Sequence, residues 1–73
     1  MTKWVVCLDN TGYEVDLEPL KLYRVIEDEK SADAGFIRII DGSGEDYLYS
    51  ANRFMPLELT PPVEERLSEL AVF

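Results

Sequence analysis

Up to residue 59 the apolar residues come in short runs, each closed by polar, glycine or proline residues, and only after Thr60 do they take a wider period. Short runs rich in β-branched and aromatic residues read as strands. The first is Lys3 to Asp9, where Trp4-Val5-Val6-Cys7-Leu8 is halted by Asn10-Thr11-Gly12. Residues 13–19 alternate Tyr13, Val15 and Leu17 with Glu14, Asp16 and Glu18, which fits an irregular strand or a long loop laid over the core. Pro19 closes that stretch, because proline cannot donate into a sheet ladder. Leu20 to Asp28 makes the second strand. A helix over residues 20–34 competes, but Tyr23, Val25 and Ile26 cluster without a helical apolar stripe, and residues 29–35 read as a polar connection ending in Gly35.

The clearest local signal is a hairpin. Phe36-Ile37-Arg38-Ile39-Ile40 and Asp46-Tyr47-Leu48-Tyr49 flank Asp41-Gly42-Ser43-Gly44-Glu45, a stretch of turn-forming residues. Residues 50–53 are long enough only for a turn of helix or a loop. Phe54 to Leu59 reads as a fifth strand, confined to a sheet edge by Pro56. Five short strands at this spacing predict a mainly β domain, a small barrel or sandwich, over residues 1–60.

From Thr60 the pattern turns helical. Thr60 suits a cap, Pro61 the first helical position, and Glu64 and Glu65 the positive end of the helix dipole. Val63, Leu67, Leu70 and Ala71 form one apolar stripe on a C-terminal α-helix within residues 61–73. So short a helix is marginal alone, so the stripe is expected to pack on the barrel or on a partner. The strands raise the same issue. Trp4, Val6 and Leu8 oppose Val5 and Cys7, while Phe36 and Ile40 oppose Ile37 and Ile39, so both faces are apolar. A single barrel interior uses one face, and the other needs a cover: the tail helix, a partner or a second copy. A β-bulge that switches the alternation would remove that need.

Composition narrows the function classes. A chain of 73 residues holds one small core, and its 47% hydrophobic content is too high for a disordered segment. The net charge of −8 opposes nucleic-acid binding, which relies on cations meeting phosphates, and opposes docking on anionic lipid. For a basic stripe, Lys3, Lys21, Arg24 and Arg38 would have to gather on one face. The single cysteine, Cys7, cannot form an internal disulfide and reads as a small core residue in a reducing compartment. Its apolar run is too short for a signal peptide core or a membrane span, so a cytoplasmic protein is expected.

The same residues limit chemistry. There is no histidine, so neither a Ser-His nor a Cys-His pair can be built, and one cysteine does not hold zinc. No glycine-rich phosphate loop is present. Asp41, Glu45 and Asp46 could pair as in a glycosidase, but a chain this small lacks a cleft to bury a substrate, and they read as solvated carboxylates of a hairpin turn. Nor do they follow the calcium order of an EF-hand loop. No enzyme activity, cofactor or metal is expected.

Taken together, "VVCLDN", "LYRVIED", "IRIIDGSGEDYLY" and "RFMPLEL" follow one another as in the small SH3-like barrel proteins of bacteria and their phages, and residues 3–59 resemble that family. The resemblance implies a five-stranded SH3-like barrel and no assigned activity. A looser similarity links Gly44-Glu45 and Tyr49 to Phe54 with peptide-binding SH3 domains, Asn52 matching their asparagine and Phe54 their apolar core position. Phe36 falls near the first of their two tryptophans. Ser50 stands where those domains carry a binding proline and Arg53 where they carry a tyrosine, and of their tyrosine-rich motif only Tyr13 has a counterpart.

Two functions follow as expectations. One is a small non-catalytic protein-interaction module whose candidate surface comprises Tyr13, Phe36, Tyr47, Tyr49, Leu67 and Leu70, with another protein or a second copy as partner. If Leu48 is core, Tyr47 and Tyr49 face outward as an adhesive patch; cross-strand packing is the alternative. The other is an acidic mimic or inhibitor of a nucleic-acid-binding protein, which needs Glu14, Asp16, Glu18, Asp41, Glu45 and Asp46 on one face.

Overall fold

The computed structural model describes residues 4–70. Five strands, β1 (Trp4–Cys7), β2 (Leu22–Ile26), β3 (Phe36–Ile40), β4 (Asp46–Ser50) and β5 (Phe54–Leu57), form one sheet in the order β4-β3-β2-β1-β5. Every pairing is antiparallel. Pro56 lies on an edge strand, where a missing N–H breaks no interior ladder. Among the described residues no ladder joins β4 to β5, so the sheet is open at both edges and does not close through strand pairing.

The register sorts the side chains. Val5 lies opposite Tyr23 and Pro56, and Ile39 opposite Val25 and Tyr47, so these positions share one face. On that face Val5, Cys7, Tyr23, Ile39, Tyr49 and Phe54 form the core, with Val25 and Ile37 packed against it. Leu17 completes the cluster from outside the sheet.

The β1–β2 connection is the loop of the two alternatives, but its side chains do not alternate. The N–H groups of Asp16 and Leu17 both donate to the Tyr13 carbonyl, at 3.1 and 2.8 Å, which winds one helical turn. That turn leaves Val15 94% exposed and brings Leu17 to 0%. The Asn10 side chain donates to the Leu17 carbonyl at 3.0 Å, and the Gly42 N–H to the Asp16 carbonyl at 2.9 Å, so the loop is tied at its start and onto the hairpin turn. A Cβ on Gly42 would stand 3.0 Å from the Asp16 carbonyl oxygen, which favours glycine there.

The loop leaves through a strained residue. Leu20 takes φ +67° while its N–H donates to the Cys7 carbonyl at 2.7 Å. A left-handed conformation costs a branched residue about 1–2 kcal/mol, more than the 0.5–1 kcal/mol that glycine's extra freedom costs. Leu20 is largely exposed, so little packing is at stake. Leu20→Gly is expected to stabilise the protein by about 0.5–1 kcal/mol in urea denaturation, and a fall of that size would show that the leucine contributes packing.

Residues 29–35 depart from the polar connection expected there. Glu29–Asp33 form a short helix, α1, because Asp28 caps it: the Asp28 carboxylate accepts the Ser31 N–H at 3.1 Å and the Ser31 hydroxyl at 2.8 Å. Gly35, at φ +86°, ends it and admits β3. Ala51–Arg53 form a single 3₁₀ turn before β5. The tail helix α2 covers Pro61–Leu70, and its Glu64 N–H donates to the Thr60 carbonyl at 3.0 Å. No described residue of α2 is buried; Ala71 lies outside the described residues.

Candidate protein-interaction surface

The hairpin sets which side chains are available for contact. Asp41 and Glu45 close a three-residue loop whose last member, Gly44, takes φ +83°, a usual way to join two strands. Counting from that closure places Tyr47 opposite Ile39 and Tyr49 opposite Ile37, on the core side. The outward patch of two tyrosines is therefore corrected: Tyr49 is 5% exposed in the core, and Leu48 points to the other face. Tyr47 shares Tyr49's side of the sheet but stays half exposed, because it lies at the hairpin end.

Tyr49 is held by the one buried acid of the described residues. Asp41, 2% exposed, accepts the Tyr49 hydroxyl at 2.5 Å through Oδ2, and the Ser43 N–H and hydroxyl at 2.9 and 2.5 Å through Oδ1. Asp41 is thus no solvated turn carboxylate. Burial alone would raise its pKa, but the bonds from Ser43 and Tyr49 outweigh burial and hold the carboxyl below its ordinary value. Burial, reinforced by the Asp41 charge, pushes the Tyr49 phenol well above its ordinary value.

Tyr13 is 45% exposed yet engaged internally. Its ring meets Tyr49 edge-on at 5.0 Å, and the Arg53 guanidinium lies 4.8 Å over it. Arg53 also donates to the Asp9 and Thr11 carbonyls at 3.2 and 2.9 Å. This arginine staples the long loop to the 3₁₀ turn.

The opposite face of the sheet carries Trp4, Val6, Leu22, Ile26, Phe36, Ile40, Leu48, Met55 and Leu57, so both faces are apolar, as the alternation implies. Trp4 is buried on this outer face, outside the core cluster. The face is exposed at both ends: Met55 on β5 is 47% exposed, and toward β4 Phe36 is 46% and Leu48 43% exposed, these two being diagonal neighbours, since Phe36 lies opposite Ser50 and Leu48 opposite Arg38. Comparison with protein-family models, curated proteins and solved structures returned no match to this chain.

The six residues of the expected surface do not form one patch. Tyr13 and Tyr49 meet within the core side, Tyr47 stands at the hairpin end, and Phe36 lies on the outer face. Leu67 is half-buried and Leu70 exposed on α2. Leu48, absent from that set, is Phe36's neighbour; the hairpin's loop length carried the signal, because it sets the register that turns Leu48 outward. Among the described residues no group of three or more His, Cys, Asp or Glu is placed to hold a metal ion, and no helix is long and apolar enough to cross a membrane. Burial pushes the Cys7 thiol up, away from the reactive thiolate.

Several of the charges are engaged. Arg38 bridges Asp28 and Asp46, each at 3.0 Å, and Asp9 accepts both the N–H and the hydroxyl of Thr11 at 2.9 and 2.6 Å. Lys21 lies 5.6 Å over the Tyr23 ring, on the core-side parity of β2, whereas Arg24 and Arg38 project to the outer face. Lys3 lies outside the described residues.

Proposed function

We propose that this chain is a small non-catalytic protein-interaction module of SH3-like architecture, which engages a partner protein through the β4 side of its outer sheet face. The architecture is supported by the strand order, by the long first loop folded over the core, and by the 3₁₀ turn that precedes the last strand. The observation that carries the function is the adjacency of half-exposed Phe36 and Leu48 on a face that has no need of them for the core. Exposed aromatics on a rigid sheet are common anchors of protein interfaces.

Mimicry of a nucleic acid has less support. Of the acids it needs, Asp41 is buried under Tyr49 and Asp46 is paired with Arg38. A basic stripe has less still, since Lys21 and the two arginines take opposite faces.

Capture from lysate of the source organism with tagged protein tests the reading. Wild type is expected to retain a specific partner at low salt, and Phe36→Glu to lose it at least about tenfold while keeping the native circular dichroism spectrum. A partner retained equally by Phe36→Glu and Leu48→Glu, or none retained at all, would sink the reading.

A further inference from the structure

The two edges of the sheet are not equivalent. Cys7 N–H donates to the Lys21 carbonyl at 2.9 Å and Leu8 N–H to the Arg53 carbonyl at 2.8 Å, so successive β1 residues bond alternately to β2 and β5. Met55 and Leu57 therefore bond inward, and Phe54 and Pro56 face the outside of β5. Phe54 N–H already donates to the Ala51 carbonyl, and Pro56 has no N–H. That edge offers an incoming strand no donor.

The β4 edge is open. Asp41 N–H donates to the Glu45 carbonyl at 3.1 Å and Ala51 N–H to the Gly35 carbonyl at 3.0 Å, which bracket the β3–β4 ladder. Alternation between those brackets turns the N–H groups of Asp46, Leu48 and Ser50 and the C=O groups of Asp46 and Leu48 outward, while the Ser50 C=O caps the 3₁₀ turn. Beside the start of β4 lies an open groove of about 530 Å³ lined by Ile26, Ile40, Gly44, Glu45, Asp46 and Tyr47. Asp46 shares one oxygen with Arg38, and a Glu45 oxygen lies 3.4 Å from the Tyr47 hydroxyl. Such a groove suits a side chain with an aliphatic stem and a cationic head.

We propose that the β4 edge accepts an extended segment of a basic partner protein as a sixth strand. A lysine or arginine of that strand lies beside Asp46, the first outer-face residue of β4, and an aliphatic residue two positions away lies on Leu48. The net charge of −8 selects this occupant over a second copy, which would bring the same charge to the same edge. The inference rests on the interaction-module reading and specifies its mode and partner chemistry.

The probe is a capped peptide, Thr-Lys-Thr-Val-Thr-Lys-Thr, whose alternate residues fit the outer face in either direction; its counterpart carries Glu for Lys. Followed through backbone amide resonances of the full chain, the Lys peptide at millimolar concentration is expected to shift Asp46, Leu48 and Ser50 most and to slow their hydrogen exchange. Affinity should fall about tenfold on raising salt from about 0.05 to 0.5 M, and the Glu peptide should bind at least tenfold more weakly. Leu48→Pro removes an outward donor and no ladder bond, and is expected to abolish binding. Should it fail to fold, Glu45→Lys, which leaves the backbone intact, is expected to weaken the Lys peptide about fivefold or more. No change at these amides, equal binding of the Glu peptide, or protection of β4 by self-association would overturn the proposal. If a captured partner depends on Phe36 while the β4 amides ignore the peptide, the module reading stands and the edge assignment falls.

Discussion

Leu17→Ala is expected to cost about 2–5 kcal/mol, the usual penalty for emptying a fully buried leucine site. Leu17 is the one fully buried side chain that reaches the core from the β1–β2 loop, and the sheet has no closing ladder to cover that side otherwise. Around it converge the Asn10 bond to its carbonyl, its own N–H bond to Tyr13, and the Gly42 bond to the neighbouring Asp16. A domain whose total stability runs at roughly 0.05–0.15 kcal/mol per residue loses much of its margin to such a change. Urea denaturation of Leu17→Ala beside Val15→Ala makes the test internal to the loop. The exposed Val15 site should stay within about 0.5 kcal/mol of wild type, and similar midpoints for the two variants would mean that the loop does not seal the core.

The second large effect concerns Asp41. Asp41→Ala strands the buried Tyr49 hydroxyl and unties the Ser43 turn, and is expected to cost about 1–3 kcal/mol at neutral pH. Its signature is in the pH dependence. Because the folded carboxyl titrates below the ordinary aspartate value of about 4, Asp41 contributes stability in full above that pH and loses it as pH falls through the depressed folded value. Thermal melts from pH 7 down to pH 2 should therefore show a shallower acid decline in the variant. The decline will not vanish, since hydrogen bonds from Thr11 and Ser31 also hold Asp9 and Asp28 below their ordinary values. At the other limb, the Tyr49 phenol is raised, so its contribution is complete below pH of about 10 and is lost as pH rises toward the folded value. Parallel acid limbs in wild type and variant would detach Asp41 from acid stability.

These two residues show where the fold could be read from the chain and where it could not. The five strands and the tail helix were legible, because each is a run whose local preference agrees with its final state: β-branched clusters in β1, β2 and β3, and a cap, a proline and an i, i+4 stripe at residues 60–70. The edge position of β5 followed from Pro56 alone. The short helix α1 escaped because its signal is a single side chain, Asp28, bonding back to Ser31, within a polar stretch that has no apolar period to reveal it. The alternation of Tyr13, Val15 and Leu17 left strand and loop open, and the loop is what forms. It has the strand period, but bonds to the Tyr13 carbonyl wind it into a turn, and only Leu17 goes inside.

The candidate surface divides in the same way. That both faces of the sheet are apolar is a property of period two and is visible in the sequence of β1 and β3. Whether Leu48 or the tyrosines around it faced the core was a matter of hairpin register, and one residue of register exchanges the faces. Pairing across the loop closed by Asp41 and Glu45 put Tyr49 inside and left Leu48 beside Phe36.

By itself the chain determined its five strands and tail helix, its mainly β class, its acidic charge and the absence of histidine chemistry, since these depend on residue identity and local period. Only the tertiary structure decided that Leu17 seals the core, that Asp41 is buried against Tyr49, and that β4 rather than β5 keeps its outward donors, because each depends on which distant backbone lies alongside.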